Sequence, residues 1–260
     1  MSGAKTNPVI EMRDVTVAAI KNPDAVIAEN VDWTVNAGDF WVIGGWHASG
    51  KSDFMMTVGG LAAPKKGSYR LFGEEMPIFD DERLARRLRL GLVFDGGQLF
   101  NRLTVAGNIA LPLQYHSDDP PEKISERVAA ILEATELSPW ANSTPGAIGR
   151  NWRQRAGLAR AIALRPEILL VDNPLSGLDL RHANWWLGFL DGLFAGHPLL
   201  DKKPVTLVVT ADDLRPWKER ARQFAFLRDR KFSVLGDRAQ LDAVSDPLVK
   251  ELLSGTAIEV

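Results

Sequence analysis

The segment Gly45-Trp46-His47-Ala48-Ser49-Gly50-Lys51-Ser52 fits G-x-x-x-x-G-K-[ST] in full, after an apolar run and before a helix-like one. In such a loop, backbone N–H groups ring a β-phosphate, the lysine bridges β and γ oxygens and the hydroxyl ligates magnesium. That assigns Lys51 to phosphate and Ser52 to the metal, with Asp53 next in the first helical turn. A glycine turn with a chance lysine is the alternative, and the strand–loop–helix setting disfavours it. Ala48 stands where glycine is common, so some backbone strain is expected there. Asp172 ends the apolar run Ile168-Leu169-Leu170-Val171 and is the natural second magnesium ligand. The implied cofactors are ATP and Mg2+. Asn173 follows Asp172, and its amide cannot take a proton from an attacking water.

Positioning these groups takes an α/β scaffold. Residues 8–18 alternate apolar and polar side chains as a half-buried strand does, residues 31–35 read as a second strand, and Phe-Trp-Val-Ile-Gly-Gly leads into the loop. Helical spacing follows the loop, then Pro64 and Gly67 break it before a strand in SYRLFG. Residues 81–91 read as a basic helix and 91–94 as a short strand. Two further helices are expected in ISERVAAILEATEL and over 152–165. EILLVD and VTLVVT are buried strands of the parallel type, 224–237 reads as a hairpin, and DPLVKELLSG as a closing helix. The predicted fold is a P-loop NTPase (RecA-like) core with a mostly parallel sheet, an N-terminal antiparallel part and an inserted helical subdomain. As a single domain of 260 residues it divides into a core (8–95 and 166–245), a helical subdomain (96–165) and a C-terminal helix with its tail (246–260).

A net charge of −2 argues against a general nucleic-acid-coating role. With no cysteine, disulfides, thiolate metal sites and a cysteine nucleophile are excluded. The start, MSGAKTNPVIEMRD, lacks a signal-peptide core, and no apolar run reaches the roughly 18 residues of a membrane span. A soluble chain is expected, working at a membrane only through a partner.

The order of the phosphate loop, VFDGGQLFNRLTVAGNIALPL, RQRAGLARAIALRPEILLVDNPLSGLD and VTLVVTADDL resembles the nucleotide-binding subunit of an ABC transporter over nearly the whole chain. Within that family, GGQLFNRLTVAGNIALPL and DPLVKELLSG are most similar to the lipid-transporting Mla/mammalian-cell-entry group. The resemblance implies a homodimer, or a heterodimer with another ABC ATPase subunit, held beneath a membrane permease on the inner face of the cell membrane. Each ATP then lies between one subunit's phosphate loop and the other's signature loop. Lys51, Ser52, Asp172 and the loop Ser176-Gly177-Leu178-Asp179 match the family. Five positions depart from it. The nucleotide-sensing glutamine falls at Asp95, itself a subsidiary metal candidate. The signature loop falls on Ile148-Gly149-Arg150-Asn151-Trp152, the catalytic glutamate on Asn173 and the switch histidine on Ala211, and the adenine-stacking aromatic has no counterpart. Together they imply low or absent ATP hydrolysis, and the Cβ atoms of Arg150 and Asn151 obstruct close backbone approach to a γ-phosphate.

For single residues two readings stand side by side. Arg150 is a charge stabiliser reaching a phosphate across the dimer, or a solvated surface side chain. Trp46 and Trp152 stack on a base or a partner, or pack internally. His47 is expected to face solvent, and the arginines from Arg83 to Arg89 to form the wet face of a helix. Leu99, Phe100 and Leu103 either dock the permease's cytoplasmic helix or pack inside the chain; Gly149, Arg150, Asn151, Ser176, Gly177 and Asp179 are the candidate subunit contacts. The rival functions are a nucleotide-dependent scaffold outside transport and an active ATPase in which Asp95 or Asp212 replaces the missing glutamate.

Overall fold

The computed structural model describes residues 7–76 and 81–254. The opening hexapeptide and the tail 255–260, part of the leader and C-terminal expectations, lie outside the described residues. The chain divides into two compact units, Met1–Arg87 with Thr206–Val260, and Leu88–Val205.

In chain order the first unit holds β1 (Pro8–Ala19), β2 (Asn22–Asn36), β3 (Phe40–Gly44), α1 (Lys51–Val58), β4 (Lys66–Leu71), β5 (Glu74–Glu75) and α2 (Asp81–Arg87). The second unit follows with β6 (Leu90–Val93), α3 (Val105–His116), α4 (Pro121–Ala134), α5 (Arg150–Ala161), β7 (Ile168–Val171) and α6 (Leu180–Ala195). The first unit then resumes with β8 (Thr206–Ala211), β9 (Gln223–Arg228), β10 (Lys231–Gly236), α7 (Arg238–Asp242) and α8 (Pro247–Ser254).

Strands in the first unit run in the order β5-β4-β1-β2-β10-β9-β3-β8. β1 pairs antiparallel with β2 and β4, whereas β3 pairs parallel with β8 and β9. β3 and β8 are buried along their whole length, as strands covered on both faces must be, and their side chains are accordingly almost all apolar. α1 is held by Phe54, which stacks on Phe232 of β10 at 4.9 Å, beside Trp33 of β2. The expected hairpin is present: β9 and β10 pair antiparallel around Asp229 and Arg230, both at positive φ (49° and 62°), as a tight two-residue turn needs.

In the second unit β6 and β7 pair parallel, with Leu90 opposite Ile168 and Val93 opposite Val171. The helical stretch closes over a core that includes Ile109, Ile131, Leu137 and Ala156. The expected helix over 81–91 is cut short: α2 ends at Arg87, and Arg89 instead gives its carbonyl to the Glu167 and Ile168 N–H groups as β6 begins. Its guanidinium is bonded twice to the Glu167 carboxylate at 2.7 Å, while Arg86 pairs with Glu74, so these arginines are tethered rather than simply wet. α6 was not foreseen. Its Trp, Phe, His and Asn content is helix-poor, and burial of Trp186, Leu190 and Leu193 on one face organises it instead.

Candidate functional site

The phosphate loop grows directly out of β3. Parallel pairing sets Gly44 opposite Ala211, and the Gly45 N–H continues the ladder onto the Ala211 carbonyl at 3.2 Å. A Cβ on Gly45 would stand 2.7 Å from the Leu227 carbonyl oxygen, so only glycine lets the chain leave the sheet there. Ala48 lies at φ 62°, in the left-handed region that the sequence marked as strained. Gly50 follows at φ 88°, and a Cβ there would press on the Ile27 side chain. α1 then starts with no side-chain cap, leaving its first N–H groups facing the loop. The Ser49 hydroxyl is buried in the loop with no protein partner. An uncapped eight-residue helix start and an orphaned hydroxyl within one glycine-edged loop fit a bound phosphate.

Lys51 is buried, and its ammonium donates to the carbonyls of Gly45 and Trp46, both at 2.6 Å, and pairs with Asp212 at 2.7 Å. Ser52 is exposed, and His47 is exposed as expected. The Asp53 carboxylate is not turned to the loop: it accepts the Ile20 N–H at 2.9 Å and pins the β1–β2 turn to α1. Trp46 is half-buried.

In the second unit Asp172 is buried at the end of β7, its N–H bonded to the Val93 carbonyl at 2.8 Å. Asn173 takes φ 45°, a left-handed conformation that asparagine tolerates better than most side chains. Among the described residues no three His, Cys, Asp or Glu gather as a metal cage. Mg2+ rarely needs one, since phosphates and waters supply most of its ligands.

α5 begins at Arg150, with Gly149 as its uncapped start. Arg150 forms an ion pair with Asp95, joining two of the departing positions. Asn151 shares a hydrogen bond with His182 Nε2 at 2.6 Å, and His182 Nδ1 meets the Asp179 carboxylate at 2.8 Å. Asp179 also caps α6 by accepting the His182 N–H, and these bonds hold its carboxyl below the usual range. Trp152 packs internally, against Trp140 at 5.8 Å and His182 at 5.6 Å. Behind it the buried Arg155 guanidinium lies 3.7 Å from the Trp185 ring centroid and pairs with Glu136 at 2.7 Å. Gly177 lies at φ 68° beside Ser176, both in the turn before Asp179.

Of the proposed docking residues, Phe100 is exposed, Leu103 is half-buried and Leu99 packs on the helical core. The residue that shapes this loop is Asn108, which sequence reasoning passed over. Fully buried, it accepts the Phe100 N–H at 2.8 Å and donates to the Phe100 and Thr104 carbonyls. An asparagine inside an apolar helical pattern was the available signal.

A family profile described as ABC transporter matches residues 28–176. The chain belongs to the ABC transporter ATP-binding family. It is 32% identical over 250 residues to the intermembrane phospholipid transport system ATP-binding protein MlaF of Escherichia coli, spanning 96% of this chain and 90% of that one. It is 31% identical over 235 residues to the methionine import ATP-binding protein MetN of Lacticaseibacillus paracasei, covering 90% of this chain and 65% of MetN. Among solved structures it is similar to the dimeric ATP-binding cassette MJ0796 in a post-hydrolysis state bound to ADP and Pi, with 27% identity and a TM-score of 0.73 over 85% of this chain and 95% of that one. In this ABC subunit Asp95, Arg150 and Asn151 each bond within their own unit. Among the described residues no helix is long and apolar enough to cross a membrane.

Proposed function

We propose that this ABC subunit binds ATP with Mg2+ through Lys51, Ser52 and the loop N–H groups, hydrolyses it poorly, and serves a lipid-transport complex of the Mla type. The phosphate loop carries the binding half of the reading: a buried lysine, an uncapped helix start and a buried, unpartnered Ser49 hydroxyl in one glycine-edged turn. Asp172 is the residue we assign to the metal. ATP brings the anhydride bond and the chain's residues bind and orient it. No base stands at Asn173, and loss of a positioned base costs about a hundred- to ten-thousandfold in rate. Both candidate replacements are engaged elsewhere, Asp95 by Arg150 and Asp212 by Lys51, which weighs against an active ATPase with relocated groups.

The lipid-transport reading rests on similarity to MlaF. It implies a second ATP-binding subunit, identical or not, and a permease that holds the chain at the inner face of the membrane. The exposed Phe100 is then a permease contact, while Gly149, Ser176, Gly177 and Asp179 lie on the surface offered to the second subunit. MgATP affinity and turnover, measured for the chain alone and with its membrane partner, test this. Micromolar binding lost in Lys51→Ala, with turnover at least a hundredfold below ordinary ABC subunits, is expected. Ordinary turnover abolished by Lys51→Ala refutes the impaired-hydrolysis half. Failure of the wild type and of Asp212→Asn alike to bind refutes the whole.

A further inference from the structure

We infer that Asp212 is an intramolecular latch on the phosphate loop, occupying the Lys51 ammonium that a nucleotide phosphate would otherwise claim. The inference rests on the nucleotide-binding reading above and adds a control to it. An ammonium has three N–H donors, and all three have acceptors here: the Gly45 carbonyl at 2.6 Å, the Trp46 carbonyl at 2.6 Å and the Asp212 carboxylate at 2.7 Å. Of the three only Asp212 carries a charge. Two neutral carbonyls can stay with the lysine when an anion arrives; a carboxylate repels that anion and competes for the same cation.

The backbone puts Asp212 there. Gly44 pairs with Ala211 and the Gly45 N–H takes the Ala211 carbonyl, so the residue after Ala211 leaves β8 alongside the first turn of the loop. The Lys51 side chain is only 6% exposed, so its charge is screened little by water, whereas the Asp212 side chain is 32% exposed, with the oxygen that meets the ammonium buried. That asymmetry makes the pair exchangeable from the acid's side. The lysine stays in the loop while the carboxylate gives way to phosphate. The same contact turns the Asp212 carboxylate to the ammonium and not to an attacking water.

The test titrates MgATP and MgADP into the full-length chain by calorimetry, for the wild type, Asp212→Asn, Asp212→Ser, Lys51→Ala and the double variant Lys51→Ala/Asp212→Asn. The latch predicts that Asp212→Asn and Asp212→Ser each bind MgATP about tenfold more tightly, a change of about 1.4 kcal/mol. It also predicts that Asp212→Asn restores no binding to Lys51→Ala, since the acid acts through the lysine, and recovered binding in the double variant overturns it. Affinity that is unchanged or weaker in both single variants, at wild-type melting temperature, overturns the latch and leaves the nucleotide reading standing. Unchanged affinity with turnover cut a hundredfold or more overturns it in favour of Asp212 as a base. Absence of binding in the wild type and both Asp212 variants overturns the nucleotide reading and the latch with it. Binding by the variants alone supports the latch most strongly.

Discussion

Gly157 and Gly188 lie inside α5 and α6, and the same substitution should move the two in opposite directions. Alanine in a helix interior is worth about 0.8–1 kcal/mol over glycine. At Gly188 an added Cβ meets nothing within 4 Å, so the full gain should appear, raising the melting temperature by about 2–4 °C. At Gly157 that methyl would stand 2.8 Å from the Gly97 Cα and 3.0 Å from the Gly97 carbonyl oxygen. Both are backbone atoms, and Gly97 itself is held at φ 84°, so no side chain can rotate away. Overpacking of this kind costs about 1–3 kcal/mol, which exceeds the helix gain and leaves Gly157→Ala destabilised by up to about 2 kcal/mol. Urea denaturation of the two variants beside the wild type, followed by far-ultraviolet circular dichroism, measures the difference. If Gly157→Ala proves as stabilising as Gly188→Ala, the 95–98 segment does not rest on α5 as described. The consequence reaches further than stability, because that segment also carries Asp95 to Arg150.

Replacing Ala48, at φ 62°, with glycine removes a Cβ penalty of about 1–2 kcal/mol against glycine's greater entropy loss of about 0.5–1 kcal/mol. A net gain of about 0.5 kcal/mol in chemical denaturation is expected. A double-mutant cycle on Asp95→Asn and Arg150→Gln should give a coupling of about 0.2–1 kcal/mol in dilute buffer, because both partners are nearly half-exposed, and almost none in 1 M salt. Burial holds the His197 imidazole below its ordinary range, and its Nδ1 accepts the Leu199 N–H, so the folded state favours the neutral ring. That contribution is complete above about pH 6.5 and is lost as pH falls toward the folded-state value. Glu167 and Asp179, both held below the usual carboxylate range by hydrogen bonds, add a second decline that begins only near pH 4. Urea midpoints measured from pH 8 to 3 should show both stages, and His197→Asn should flatten the first alone.

Particular residues show where sequence reading reached its limit. The loop between β3 and α1 was legible because a phosphate-binding pattern is contiguous, so the motif and the turn it forms coincide along the chain. β7 and β8 were legible because doubly covered strands need uninterrupted apolar side chains. β2 was seen only over its apolar end, residues 31–35; the polar stretch from Asn22 becomes strand because β1 supplies a partner ladder. α6 was missed because its order comes from burying Trp186 and Leu190, a tertiary reward that composition does not announce.

By itself, then, the sequence determined the family and marked the glycine-edged loop before α1, since these depend on contiguous patterns. What a side chain outside such a pattern does depends on neighbours far along the chain. Arg150 meets Asp95 at a separation of 55 positions, and Asn151 meets His182 at 31. Asp212 reaches Lys51 only because β8 is laid beside β3. An acid after a strand has no assigned partner in one dimension. Strand pairing chooses it, and here it turns a spare aspartate into the group that holds the phosphate-loop lysine.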